Sequence, residues 1–588
     1  MFEAEQKKIE EKITVFCKDQ GLPEFNVDWK WIPFSGEWGI CTSFFQLAAL
    51  EARQQGKKTN VAERAQEIAQ MVKTAIGTLQ GFERLEAVRG YLNLYFSSAE
   101  YARRVVETVL EQKGVYGQGE ALHKRVMVEY SQPNTHKAFH VGHLRSAILG
   151  DAISRILELA GYDVVRANYP GDIGLHVVKW LWNYMKFHMG EKPATDVTHW
   201  MGTLYAEANK RLEENPDLES EVRALYLRWD QRDADVVDLW KETRQWSLDG
   251  FTEMYKALDI RFDTYYFNSM AEQPGKVIVQ ELINKGLAQD ERAQGGTVIV
   301  KLDELLGLTK EKYRVMVVLR SDSTALYSTE DLALAKIKFT DYPDMVKSYY
   351  VVDVRQSLHF QQVFKTLELA GYPWATLCEH IPYELVNLPG NVVMASREGT
   401  VVLLEDLIRE ATARALEVVE QKNPDLAEDA KLAVARAVGI GAIKYPMLAR
   451  EGTKVVTFDW EAALDFNGQA APYIQYAYVR AGSILRKMKS PLPESDFSGA
   501  FSAPEIQLVD LISRLPQEVQ KAAAELRPLT LTSLAYELAR TFNDFYNQCP
   551  VLQAEEPQRS QRLRLTAAAK QAIGNILNAL GIAAPEVM

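Results

Sequence analysis

The chain has 588 residues, 47% of them hydrophobic, and a formal net charge of −12. At roughly 150 residues per domain that length implies about four domains, or one large catalytic domain with appendages, and the acidic balance excludes a broadly basic nucleic-acid coat while allowing local basic patches. The charged start MFEAEQKKIEEK lacks an apolar signal-peptide core, no apolar span approaches about 18 residues, and Cys17, Cys41, Cys378 and Cys549 form no CxxC pair. A soluble intracellular protein with reduced thiols and no zinc knuckle is therefore expected.

Residues 1–112 alternate helical and strand-like periods: a charged helix over 3–20, an aromatic strand region around VDWKWIPF, a helix through FFQLAALEARQQG, the alternating RGYLNLYF at 89–96, and a helix at 98–112. This predicts a small α+β domain, followed by KGVYGQGEALHK as a glycine-bearing linker. VMVEYS then reads as a buried strand and YDVVRANY as another. Between them a helix is predicted from Gly142 to its stop at Gly161, with Leu144, Ile148, Ala152, Ile156 and Leu159 on one face. That βαβ unit belongs to a parallel sheet, whose ligands bind at the carboxyl ends of the strands. From about 180 to 270 a helical, Trp-rich and charged insertion interrupts it. Strand patterns return at GGTVIVKL, YRVMVVLR and SYYVVDV, with DLALAKIKF and QSLHFQQVFKTLELAG as helices, and are expected to complete the same sheet at about 275–400. Beyond Gly399 the pattern is helical to the end, with PLPESDFSGAFSAPE as the long loop. The expected domains are 1–112, 120–400, a helical connection over 401–465, and an all-α bundle over 466–588.

Three of the nine histidines, His136, His140 and His143, fall within VEYSQPNTHKAFHVGHLRSAILGD. On one continuous helix they would share a face and could ligate a metal. Gly142 and the Pro133-Asn134 break favour a second possibility, an anion-binding turn at a helix start, where a glycine admits a phosphate and the free N–H groups face it. Structural histidines are the third.

HVGH at His140–His143 resembles the HIGH signature of class I aminoacyl-tRNA synthetases, and EYSQPNTHKAFHVGHLRS resembles the arginyl-tRNA synthetase form of it. NYPGDIG (168–174) is similar to that family's NxxGDxG stretch, RSDSTALYSTEDLALAKIKF (320–339) to its RSDGTxxYxTRD block, and VDVRQSLHFQQVF (352–364) to its QxxHFxQ segment. VGIGAIKY, FNGQAAPYIQYAYVRAGSI and FNDFYNQCPVL resemble its helical anticodon-binding domain, so the likeness spans essentially the whole chain. The resemblance implies an α/β protein. Its parts are a Rossmann-like parallel-sheet catalytic domain with an insertion, an N-terminal α+β domain contacting tRNA, and a C-terminal all-α helical bundle for the anticodon. It further implies a cytoplasmic arginine–tRNA ligase of protein biosynthesis, taking arginine, ATP with Mg2+, and tRNA(Arg). No structural zinc, no membrane and a monomeric state are expected.

The same resemblance implies residue roles. His140, Gly142 and His143 contact ATP, with His359 and Met394 also at the nucleotide. Glu129 and Asn134 hold the polar backbone groups of arginine, Tyr327 and Asp331 line the guanidinium end, and Gln356 assists. A planar guanidinium with five donors needs such carboxylate acceptors. Asp172 is placed among the loops that meet ligands. The second class I signature, KMSKS, departs from its pattern: the loop reads VVMASREGT, with Val393 in place of the leading lysine. Lys137, just ahead of HVGH, is expected to supply the missing charge to pyrophosphate with help from Arg397. For tRNA, Arg559, Arg562 and Arg564 with Tyr473, Tyr476 and Tyr478 are expected at the anticodon, and Arg53, Lys57 and Lys58 at the outer corner. Two rival readings are a small-molecule adenylating nucleotidyltransferase and a non-catalytic tRNA-binding paralogue.

Overall fold

Five parallel strands organise the larger part of the chain: β1 (Arg125–Glu129), β2 (Asp163–Asn168), β3 (Thr264–Tyr265), β4 (Met345–Asp353) and β5 (Cys378–Tyr383). They lie in the order β5-β4-β1-β2-β3. Val126, Met127 and Val128 of β1 are fully buried, the pattern of a central strand covered on both faces. In this computed structural model the described residues are 3–56, 60–139, 141–388, 392–393, 403–488 and 490–588. They form two compact units: Gly117–Tyr476 with Pro516–Tyr536 and Ile576–Met588, and Met1–Tyr116 with Ala477–Leu515 and Glu537–Asn575.

In the first unit, helix α1 (Val141–Leu159) joins β1 to β2 and ends where its glycine signal predicts. Gly161 has φ +101°, and a Cβ there would lie 2.0 Å from the Glu120 carbonyl oxygen, so both conformation and space demand glycine. Helices α2 (Asn268–Asn284), α3 (Tyr327–Asp341) and α4 (Ser357–Leu369) follow β3 and flank β4 in sequence.

One expectation about the sheet is corrected. The strands in GGTVIVKL and YRVMVVLR form, but Val315–Leu319, Val298–Lys301 and Gln289–Asp290 make a separate antiparallel sheet. Met316 and Val318 are buried while Val315 and Val317 are exposed, the one-sided burial that suits an antiparallel sheet with a solvated face. The insertion consists of helices Leu175–Asn183, Val197–Glu214, Glu219–Asp230 and Ala234–Ala257. Its core is built on Trp180, Trp182, Trp229, Trp240 and Trp246. Farther on, Lys444 of the helix Glu428–Leu448 is fully buried and donates to the Gly581 carbonyl at 2.7 Å.

The second unit carries a four-stranded antiparallel sheet from the N-terminal residues, flanked by Glu3–Asp19, Phe45–Gln55, Val61–Ile76 and Ser98–Gln112. Its C-terminal helices pack on this domain within the unit. Trp38 stacks on Tyr101 at 4.3 Å and donates to Asp510 at 3.0 Å, and Tyr116 donates to the Ile512 carbonyl at 2.9 Å. Among the described residues no helix is long and apolar enough to cross a membrane.

Candidate active site

β1 delivers Glu129 to the carboxyl end of the sheet. There its side chain is only 2% exposed. One carboxylate oxygen accepts from Gln132 Nε2 at 2.8 Å, and the other pairs with Lys338 of α3, which is 0% exposed. The Lys338 ammonium also lies 3.9 Å from the centre of the Tyr350 ring, and Tyr350 is the β4 residue opposite Glu129.

The loops leaving β1 and β2 are joined through their backbones. Thr135 N–H donates to Gly171 O at 2.9 Å, and Gly171 N–H donates to Pro133 O at 3.0 Å. Asn134 is thereby held against Gly171, where a Cβ would lie 2.3 Å from Asn134 Oδ1. The neighbouring Asp172 is fully buried and fully engaged. Arg244 Nη1 donates to it at 2.8 Å, and Ser269 donates through its backbone N–H at 2.9 Å and its hydroxyl at 2.6 Å. Asp172 therefore ties the insertion and the start of α2 to this loop.

α3 brings in Tyr327 and Asp331, one turn apart as the spacing predicts. Tyr327 is 69% exposed, whereas Asp331 lies 2.6 Å from His359 Nε2 on α4. The residue expected at the guanidinium and one expected at the nucleotide thus touch directly. Gln356 is exposed immediately before α4.

Tyr169, at the second position of the NYPGDIG stretch, locates the centre of the site. Burial first, and then the carboxylates of Asp331, Glu330, Glu129 and Asp172, push its phenol well above 10. Four acidic residues from β1, α3 and the β2 loop therefore act on one phenol. Asn268 Nδ2, at the start of α2, donates to Tyr169 Oη at 3.0 Å and also to the Glu330 carboxyl. Glu330 is 7% exposed. Burial raises its carboxyl to about 8, with Asp331, Glu272 and Asp172 adding to the rise and the Asn268 hydrogen bond opposing it. At neutral pH it is predominantly protonated.

The histidine cluster divides. His136 is fully buried, with φ +59°, its Nε2 2.8 Å from the Thr243 hydroxyl and its Nδ1 3.0 Å from that of Thr135. Burial keeps it neutral, far below 6.5, so it is a packed core histidine. His143 and Gly142 lie in the first turn of α1, and the His143 ring is 5.5 Å from that of Phe139. Lys137 places its ammonium 4.9 Å from the Tyr205 ring centre, on the insertion. Nearby, burial and then the charge of Lys137 hold His176 down at about 3. His140, Met394, Arg397 and Lys57 and Lys58 lie outside the described residues. Among the described residues no three His, Cys, Asp or Glu side chains are arranged to hold a metal ion.

Three contributors to this site were missed in the sequence. Glu330 was readable as the residue standing where the RSDGTxxYxTRD block has arginine. Lys338 was readable as the residue seven after Asp331, two turns along the same helical face. Tyr169 carries no signal beyond its place in NYPGDIG. Two of the three arginines expected at the anticodon need correction. Arg562 pairs with the buried Glu505, and Arg564 with Glu107 of the N-terminal domain in the same unit, so both are spent within the fold.

Residues 105–460 match the family described as tRNA synthetases class I (R), catalytic domain, and residues 474–588 match the DALR anticodon binding domain. The chain belongs to the arginyl-tRNA synthetases. Among this synthetase's relatives is the arginine–tRNA ligase of Clostridium botulinum (strain Alaska E43), 36% identical over 525 residues that cover 89% of this chain and 90% of the relative. The arginine–tRNA ligase of Bdellovibrio bacteriovorus is 36% identical over 530 residues, covering 88% and 89%. The structure of Thermus thermophilus arginyl-tRNA synthetase aligns with a TM-score of 0.76 at 28% identity, over 99% of this chain and 100% of that one. As an arginyl-tRNA synthetase the chain is an aminoacyl-tRNA ligase with a class I catalytic domain and a helical anticodon-binding domain.

Proposed function

We propose that the enzyme uses the strand ends at β1, β2 and α3 to bind arginine, and the first turn of α1 to bind MgATP, for arginine–tRNA ligation. The observation that carries this reading is the buried Glu129 carboxylate at the carboxyl end of β1, with the Asp331 carboxylate of α3 beside His359 in the same acidic group. A substrate cationic at both its ammonium and its guanidinium is held by carboxylates of this kind. Glu129 and Asn134 take the amino-acid end, Asp331 and Tyr327 the guanidinium, and Gln356 closes the wall.

The arginine carboxylate oxygen attacks the α-phosphorus of ATP, and the bond from that phosphorus to the bridging oxygen breaks, releasing pyrophosphate. The terminal ribose 2′-hydroxyl of tRNA(Arg) then attacks the carbonyl carbon of the adenylate, and AMP leaves. Neither step needs a covalent enzyme intermediate. Gly142 leaves room for the nucleotide over the α1 N-terminus, His140 and His143 donate to its phosphates, and His359 and Met394 complete that side. Lys137, with Arg397, meets the charge that grows on pyrophosphate in place of the lysine replaced by Val393. The enzyme acts as a cytoplasmic monomer. Arginine-dependent ATP–pyrophosphate exchange, with and without cognate tRNA, tests the proposal. Exchange with arginine is expected, and folded protein that exchanges only with another amino acid, or with none, would overturn it.

A further inference from the structure

Lys338 is a charge with no exit to water. It reaches from α3 across the carboxyl ends of β1 and β4, is 0% exposed, and meets Glu129 on one side and the Tyr350 ring, at 3.9 Å, on the other. Gln132 holds the remaining Glu129 oxygen at 2.8 Å. We infer that Lys338 is a positioning residue for arginine: it fixes the orientation of the Glu129 carboxylate, so that the substrate's cationic end finds a preformed acceptor. The inference rests on the proposed role of Glu129.

The physical argument runs through the cost of burial. A carboxylate with almost no exposure and a single amide donor is costly to bury and can turn toward any donor within reach. An ammonium beside it offsets part of that cost and fixes which way it faces. A carboxylate has about four lone-pair positions, so one paired with Lys338 and Gln132 still has acceptors to spare. If stability alone were at stake, apolar groups of the same volume would serve as well as the pair, because a buried ion pair is a weak source of folding energy. The pair stands instead at the strand end where the substrate arrives.

Of the other titratable groups around Glu129, Glu330 sits at about 8, and Asp331 and Asp172 complete the acidic set, so variants are compared at a single pH. Burial pushes the Cys378 thiol of β5 up to about 11 and the Tyr350 phenol of β4 well above 10, and Tyr169 beside the β2 loop is likewise held well above 10. Across neutral pH these three are uncharged.

The test is the arginine KM in ATP–pyrophosphate exchange with cognate tRNA present, measured at one neutral pH for wild type, Lys338→Met, Lys338→Arg, Glu129→Gln and the Lys338→Met/Glu129→Gln double variant. Lys338→Met is expected to raise the arginine KM at least about 10-fold, with the ATP KM unchanged. Lys338→Arg, which keeps the charge, should stay within a few-fold of wild type. The double variant, which leaves no unpaired charge to disturb folding, should have the same arginine KM as Glu129→Gln alone. A raised KM in Glu129→Gln with none in Lys338→Met overturns the role of Lys338 alone. So does a Lys338→Met defect that Lys338→Arg shares in full. An unchanged KM in Glu129→Gln overturns the Glu129 reading and this inference with it.

Discussion

Replacing Glu330 with glutamine isolates a single proton. The carboxyl sits at about 8 in the folded enzyme against an ordinary 4.5, so between those values the folded state holds a proton that the unfolded chain has released. A folded value above the unfolded one means that this group's contribution to stability is intact below 4.5 and is lost as the pH rises through about 8. Because Glu330 is 7% exposed, solvent does little to screen the effect. At about 1.4 kcal/mol per pH unit, raising the pH from roughly 5.5 to 8.5 should remove about 3 kcal/mol from the wild type. Glutamine keeps an oxygen for Asn268 Nδ2 to reach and has no proton to lose. Denaturant unfolding of the two proteins at both pH values should therefore show the variant gaining about 3 kcal/mol on the wild type at the higher pH. A stability difference that does not change with pH would refute a neutral buried carboxyl at this position.

Lys137→Ala should slow arginine-dependent pyrophosphate exchange by about 100-fold or more, and exchange at a near wild-type rate would remove the role given to this ammonium. Gly171→Ala places a methyl group 2.3 Å from Asn134 Oδ1, and displacing that side chain should raise the arginine KM by about 10-fold, with the ATP KM held as the internal control. Arg564→Ala leaves Glu107, whose side chain is 20% exposed, with the Ser495 hydroxyl at 2.8 Å as its donor, and should cost on the order of 2 kcal/mol in unfolding experiments while leaving the tRNA KM close to wild type. A lost tRNA interaction at unchanged stability would contradict the structural assignment of Arg564.

Elements defined by local pattern were legible. The helix of α1, its glycine stop, the buried strands β1 and β2, and the one-turn spacing of Tyr327 and Asp331 all follow from periodicity within a few residues. Pairing was not. A two-residue alternation marks YRVMVVLR as a strand but carries nothing about its partner, and so the hairpin was placed in the wrong sheet. The same limit governed single residues. His136 looked chemical because it shares a segment with His143, yet only the fold places Thr243, 107 residues on, against its ring. Arg562 and Arg564 looked like a basic patch, although their partners Glu505 and Glu107 lie 57 and 457 residues away. Lys338 was hidden for the reverse reason. In DLALAKIKF it reads as a solvated charge on an amphipathic helix, and only the strand ends beyond it make it a buried one.

The chain passes between its two units five times, at 116/117, 476/477, 515/516, 536/537 and 575/576. The N-terminal sheet leaves a ribosome well before the helices of its unit, since Trp38 bonds to Asp510, 472 residues later. At roughly 5–20 residues per second, that partner arrives about half a minute to a minute and a half after the tryptophan. For that interval the N-terminal domain must stand without the helices that complete its unit. Mutations at Trp38 or Tyr116 should therefore show first as lower yield of newly made protein, ahead of any change in the finished enzyme.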